Sequence, residues 1–379
     1  MVCAVTVSNI YFPQPLLAVI ARDFGVADQT AGLVVSMGQI GYALGLATIV
    51  PLGDTANLRR LAVVLPTVTT VGLLVAAVAP NLATLAVATV ALSTTTVLPQ
   101  VIVPASATMA GPGSSGRVLA RLGVGLTLGV VLSRSVSGFV TDLSGSWRVA
   151  YVVAAVLTAG TAVLLPRRIP ERVAHDRPPV RYRRLLASLP GLLVAHPAMR
   201  LSAGLGAAMF AVYSGFWATV TFHLAGPPFH LGATYAGALG LVSLPGALLA
   251  ARLGRMCDRS GPAAVNALGL VTAAAGLMTL WLGQDSLVMI VVGSNVLGFG
   301  VAGGTIANQT RIFGLAVDVR SRLNTVYMTS TFIGAALGSA VAATVYTHAG
   351  WNATMAVLGA FAVLAAAGLA AGKPHARPD

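Results

Sequence analysis

Apolar residues fill long blocks of this chain, and short polar stretches punctuate them. A membrane-spanning helix needs roughly 20 mainly apolar residues, because a rise of ~1.5 Å per residue must cross ~30 Å of hydrocarbon with every peptide group bonded internally. Dividing the chain at its punctuation predicts about twelve such helices. The dividing segments are RDFGVADQ, GDTANLRR, APNL, GPGSSGR and TDLSGSWR, then a basic stretch from Arg167 to Arg200. AGPPFHLG, GRMCDRSGP, GQDS, NQTRIFGLAVDVRSR and HAGW separate the rest. Pro13 and Pro15 flank Gln14 inside the first span and should break it locally, since a proline carries no backbone N–H.

Composition turns a helical protein into a membrane protein. Of 379 residues, 56% are hydrophobic and 9% charged, with a mean hydropathy of +0.84, outside the balance of a soluble domain. A net charge of +13 would suggest nucleic acid in a soluble chain. With both termini cytoplasmic, however, Arg22 and Arg148 fall outside, Arg134 within a span, and the other 20 of 23 basic residues inside. That distribution is the positive-inside pattern, so the basicity reports topology and excludes a nucleic-acid partner. The predicted location is a bacterial inner membrane, crossed many times. Trp147, Trp281 and Trp351 fall at predicted outer interfaces, whereas Trp217 lies inside a span.

No basic segment followed by a small-residue cleavage site opens the chain, so no removable signal peptide is expected. The first span begins almost at Met1, which means either an abrupt helix start or a true start further upstream. Cys3 and Cys257 are too few and too separated for a disulfide framework or metal site. No cofactor is expected. No motif pairs a nucleophile with a base, and no phosphate-binding loop ends in Lys-Ser or Lys-Thr, which argues against an enzyme and against ATP-driven pumping.

The chain repeats itself. Asp54 and Asp258 stand 204 residues apart on short cytoplasmic turns, each followed by basic residues. Arg117, opening span five, follows Asp54 by 63 residues; Arg322, opening span eleven, follows Asp258 by 64. Gly129 and Gly334 each come twelve positions after those arginines. Two six-helix halves are therefore expected at 1–166 and 200–372, joined by a basic cytoplasmic linker, 167–199, and followed by a tail, 373–379.

GRMCDRSG resembles the loop signature of the major facilitator superfamily, and PLGDTANLRRL is a partial copy with Val50 at the leading glycine and Thr55 at the arginine position. NIYFPQPLL, VPLGD, GPP and NQTRIFGLAVDVRSRLNTVYM are similar to a bacterial branch grouped with sugar-efflux and drug:proton antiporters. The resemblance implies an all-α fold of twelve spans in two pseudo-symmetric bundles, working as a monomer by alternating access. It also implies a cytoplasmic gate in which an aspartate latches the N-terminus of a helix from the other half. A carboxylate there gains about 0.3–1 kcal/mol, which suits a switch. Matching residues are Asp54, Arg59 and Arg60 in the first half and Gly254, Asp258, Arg259 and Gly261 in the second, with Arg117 and Arg322 beside them. The alternative is an ordinary polar turn.

In GLTLG and GAALG, glycines four apart share one helix face and permit close packing or sliding of helices. Arg134 lies near mid-depth of span five, where insertion costs roughly 2.5–3.5 kcal/mol. A water-filled cavity between the halves would relieve that cost and would let Arg134 bind an anionic or hydroxyl-rich group. The alternatives are snorkelling, or a packing network through Ser133, Ser135 and Ser137. No carboxylate occupies the middle of a span, so a proton carrier must be sought at Asp23 or Asp142 near the outer mouth, or at His223, whose ordinary pKa is ~6.5. Other cavity candidates are Asn9, Tyr11, Gln14, Gln39, Tyr42, Gln100, Asn324 and Tyr327, with Phe216, Trp217 and Phe222 for aromatic surface. Each could instead bond helix to helix. Asn308, Gln309 and Arg311 fall at the inner end of span ten. The expected function is secondary transport, by efflux, of a small sugar-like or drug-like solute across the bilayer, with protons as candidate coupling ion. Uptake or uniport, and a non-transporting sensor or scaffold, are the alternatives.

Overall fold

A computed structural model describes residues 2–54, 56–109, 115–169, 182–242, 244–315 and 320–372; the side chains at 54, 107–109, 115–120, 168 and 244–252 lie outside that description. The described residues are helical throughout, with no strand among them. In order come α1 (Val2–Tyr11), α2 (Leu17–Phe24), α3 (Asp28–Thr48), α4 (Leu58–Ala77), α5 (Leu82–Thr95), α6 (Leu98–Met109) and α7 (Ser115–Ser144). They are followed by α8 (Trp147–Leu164), α9 (Tyr182–Ala195), α10 (Pro197–Ala225), α11 (Ala233–Val242), α12 (Leu244–Leu282), α13 (Leu287–Phe313) and α14 (Arg320–Ala371).

Ten stretches among the described residues are long and apolar enough to cross a bilayer. Gly350, at φ 72°, breaks the 52-residue α14 in two, and Gly261, at φ 77°, breaks α12. α11, at ten residues, is a further and shorter apolar helix among the described residues. At both breaks the backbone enters the left-handed region, which glycine alone visits without strain. Elsewhere the ends are set by side chains: Asn57 and Asn81 accept from the backbone N–H of Arg60 and Thr84, capping α4 and α5. Several polar stretches read as loops are helical nearly to their glycine, among them GRMCDRSGP up to Gly261 and HAGW up to Gly350. Polar residues end the membrane span there, but only a backbone reversal ends the helix.

The chain divides into two units, Met1–Ala187 with Trp217–Val242, and Ser188–Phe216 with Ser243–Asp379. In the first, α7 passes close to α1, and a methyl on Gly129 would strike the Ala4 backbone; Gly125, four residues earlier, faces open space. In the second, Gly334 and Gly338 on α14 press against the backbone of Ala207 and Ala211 on α10. The same pairing of a fifth with a first helix thus recurs within each unit, on one glycine in the first and two in the second.

Two expectations about the periphery change. Trp147 and Trp351 are 1% and 5% exposed, with their indole N–H groups bonded to Asp23 Oδ2 and the Leu280 carbonyl, each at 2.9 Å. They are packing residues at the start of a helical segment, not headgroup anchors; Trp281, 42% exposed, remains on the surface. The basic linker contains α9, whose Leu185 is buried and whose Leu189, Leu192 and Leu193 pack against Met199, Leu323 and Tyr327 in the second unit.

Candidate functional site around Arg134

The first span breaks where its prolines stand. α1 stops at Tyr11, a single 3₁₀ turn covers Gln14–Leu16, and α2 resumes at Leu17. Within that turn the Leu16 N–H goes to Pro13 O at 3.0 Å, one residue short of the helical partner. The Phe12 carbonyl accepts instead from Ser137 Oγ on α7 at 2.8 Å, and the Gln14 carbonyl from Thr221 Oγ1 on α10 at 3.0 Å. Two neighbouring helices thus clamp the irregular turn and fix the Gln14 side chain, which is 1% exposed.

That side chain meets Arg134. Arg134 Nε donates to Gln14 Oε1 at 2.7 Å, and its Cζ lies 3.9 Å from the ring centroid of Trp217 and 5.0 Å from that of Tyr11. The arginine is 1% exposed. Protein groups therefore stand where the sequence led us to expect water: the compensation comes from an amide oxygen and two π faces. A charge-assisted hydrogen bond returns about 1.5–3 kcal/mol and a desolvated cation–π contact about 2 kcal/mol. Their sum is comparable to the roughly 2.5–3.5 kcal/mol that a guanidinium costs at mid-depth. Ser133 and Ser137 turn to carbonyls of their own helix and of Phe12, and Ser135 Oγ donates to the Gly237 carbonyl on α11 at 2.9 Å. Chemically, the site holds a planar cation with its orientation fixed, a geometry that suits carboxylates and vicinal hydroxyls.

Of the remaining cavity candidates, Tyr11, Gln14 and Trp217 join Arg134, and the others are dispersed. Asn9 donates to Thr158 Oγ1 at 3.1 Å between α1 and α8, and Gln100 donates to the Tyr42 hydroxyl at 3.3 Å. Gln39 and Phe222 are buried in the first unit. Phe216 packs edge-on to Trp351, Gln309 donates to Asn324 at 3.4 Å, and buried Tyr327 lies against Gly206, all in the second unit. Helix-to-helix bonding, the alternative reading of these polar groups, describes most of them. Sequence reasoning missed Thr221, whose partner is 207 residues away, and placed Ser137 in a packing network without its partner Phe12, 125 residues away; the proline pair says that carbonyls are released but not to whom.

The predicted gate residues are less assembled. Asp258 and Arg259 are exposed, as is Arg60, while Arg59 is half-buried and Gly254 faces open space. Arg322 donates to Ser188 Oγ at 3.2 Å within the second unit. The side chains of Asp54 and Arg117 lie outside the described residues. A carboxylate on a helix N-terminus does occur elsewhere: Asp142 on α7 accepts from the N–H groups of Ala233 and Thr234, the first turn of α11, at 3.2 and 2.8 Å. Asp23, the other carboxylate expected near the outer mouth, is held by Arg148 at 3.3 Å and by Trp147, while Arg148 also caps the end of α4 through the Ala77 and Ala79 carbonyls. His223 is 7% exposed and packs edge-on to Phe229.

Such a fold, all-helical among the described residues with ten stretches long and apolar enough to cross a bilayer, defines a many-span membrane protein. The model of the Major Facilitator Superfamily matches residues 1–259 and 229–378, and the chain belongs to that family. It is 36% identical over 345 residues to "Uncharacterized transporter YgaY" of Escherichia coli O157:H7, covering 91% of this chain and 87% of that one. It is 34% identical over 362 residues to "Probable transporter SCO4007" of Streptomyces coelicolor, covering 95% and 83%. Among solved structures, the nucleoside transporter NupG aligns with a TM-score of 0.76 over 99% of this chain and 100% of that one, at 15% identity, a likeness of fold alone. The protein is a transporter, not an enzyme.

Proposed function

We propose that this transporter exports a small organic solute bearing an anionic or hydroxyl-rich group, which Arg134 recognises. The observation that carries the reading is the buried guanidinium itself, stacked on Trp217 and held by Gln14 at a proline-broken helix. A broken helix beside a fixed cation is how membrane carriers build sites for polar ligands at mid-depth. The working halves are taken as 1–166 and 200–372, with both termini cytoplasmic, and the site opens to one side of the membrane at a time. Export follows the branch that the sequence resembles.

Protons are the coupling ion that the same branch implies. Asp23 is engaged by Arg148 and Trp147, and Asp142 by the start of α11, so His223 is the group to test first. Flux of sugars and organic acids in inverted and right-side-out vesicles, with and without a pH gradient, tests the proposal. Accumulation in inverted vesicles that collapses with the gradient, and that His223→Gln uncouples, is expected. Gradient-independent equilibration in both orientations would contradict export and leave a uniporter.

A further inference from the structure

α9 takes no part in the function proposed above, and its composition is unusual for a loop. Its 14 residues are too few to span a bilayer, yet they stand between two segments that can, α8 and α10. From Leu189 to Ala195 no side chain carries a polar atom, and Val194 comes three residues before Pro197, where α10 begins. One side of this stretch is occupied, since Leu189, Leu192 and Leu193 pack against Met199 and Tyr327. The other side is bare. Arg183, Ala187, Pro190 and Val194, three and four residues apart, are all exposed, as are Arg184 and Gly191 beside them. Val194 is 77% exposed. A helical stretch that is apolar on every side belongs in a protein core or in lipid, not in water.

The polar groups of α9 are settled accordingly. The Tyr182 hydroxyl donates to the Thr48 carbonyl at 2.6 Å, and Ser188 Oγ accepts from Arg322 at 3.2 Å. At the far end, where a helix leaves carbonyls without partners, Arg200 Nη1 donates to those of Leu193 and Val194 at 3.2 and 2.7 Å. Backbone oxygens so occupied can meet hydrocarbon. Arg183 and Arg184 stand in the first turn, where the aligned peptide dipoles already present positive charge and an anion would complement both. The positive-inside pattern explains basic residues in this loop, but not the apolar surface that follows them. We infer that α9 is an interfacial helix whose exposed face docks on the bilayer, with Pro190 and Val194 at the acyl chains and Arg183 and Arg184 on the phosphates of anionic phospholipids. A helix of this kind lies at the boundary of headgroups and acyl chains, and its basic residues select anionic lipid through an attraction that salt screens. The inference needs neither Arg134 nor export; only the naming of the leaflet as cytoplasmic follows from the proposed topology.

The experiment uses full-length protein with Cys3→Ala and Cys257→Ala, and Val194→Cys or Ala187→Cys carrying a bimane fluorophore, in phosphatidylcholine nanodiscs. Phospholipids with a nitroxide on the acyl chain should quench the fluorophore at Val194→Cys strongly, and a membrane-impermeant nitroxide in the water weakly. Spin-labelled phosphatidylglycerol should quench both reporters severalfold more effectively than spin-labelled phosphatidylcholine at equal content, and high salt should erase that preference. Arg183→Gln with Arg184→Gln should abolish the preference while acyl-chain quenching persists. Quenching from the water and not from lipid would overturn the docking. Protection from both quenchers would assign the face to a second copy or a protein partner and overturn it equally. Equal quenching by the two spin-labelled lipids at low salt would overturn anionic recognition, and that comparison stands even if the double arginine variant does not fold.

Discussion

Arg134 and Arg311 both stand on long apolar helices, α7 and α13, and the protein accommodates them differently. Arg311 occupies the last turn of α13, half-buried, where Nη1 donates to Asn308 Oδ1 at 3.0 Å and Ser202 Oγ at 3.1 Å; Asn266 Nδ2 joins the same Asn308 oxygen at 3.1 Å. A cation at a helix C-terminus is also favoured by the aligned peptide dipoles, by about 0.3–1 kcal/mol. Arg134 lies well inside α7 and is enclosed by the rings of Trp217 and Tyr11 and the Gln14 amide. Amide and hydroxyl partners tether a point, whereas ring faces orient a plane. The first arrangement joins three helices; the second aims a planar fork. Arg311 thus joins helices, and the recognition role proposed above falls to Arg134.

The contrast can be broken by substitution. The largest effect is expected from Arg134→Ala, with transport falling to below about a tenth of wild type, since the lost charged hydrogen bond alone is worth about 1.5–3 kcal/mol. Arg134→Lys should fail to rescue, because an ammonium cannot present a flat face to Trp217. Vesicle flux measures both. Next, Trp217→Leu keeps apolar volume but removes the π face, and a loss of up to about thirtyfold in transport is expected from a cation–π contact of about 2 kcal/mol. Arg311→Gln should reduce the melting temperature by a few degrees, through contacts worth roughly 1–2 kcal/mol, while keeping more than about half of transport. The smallest effect belongs to Asn266→Ala, within about 1 kcal/mol by denaturation and silent in flux. Loss of flux in Arg311→Gln equal to that in Arg134→Ala would erase the distinction.

Much of this was legible from residue types whose physics is local. Prolines at 13 and 15 announce a break because they lack an N–H, and glycines in SGSW, RSGP and HAGW mark reversals because φ turns positive at 145, 261 and 350. The cost of a guanidinium at mid-depth singled out Arg134 without any neighbour in view. The neighbours themselves were not legible. Gln14 is 120 residues from Arg134 and Asp142 is 91 from Ala233, and nothing local encodes such a pairing. Water was expected around Arg134 for the same reason, since charge cost is readable and the protein groups that meet it are not. Trp147 and Trp351 misled because an indole suits an interface and a buried helix start equally well; only the partners of their N–H groups decide. α9 escaped notice inside a basic stretch, where charge masked an apolar face.

The most direct test of recognition at Arg134 is ligand-induced thermal stabilisation of the purified protein, screened with sugars, organic acids and cationic drugs on wild type, Arg134→Ala and Arg311→Gln. A ligand that binds only the folded protein raises its apparent stability by mass action. The account predicts that a stabilising ligand shifts wild type and Arg311→Gln alike and leaves folded Arg134→Ala unmoved. Equal shifts in all three proteins would contradict it.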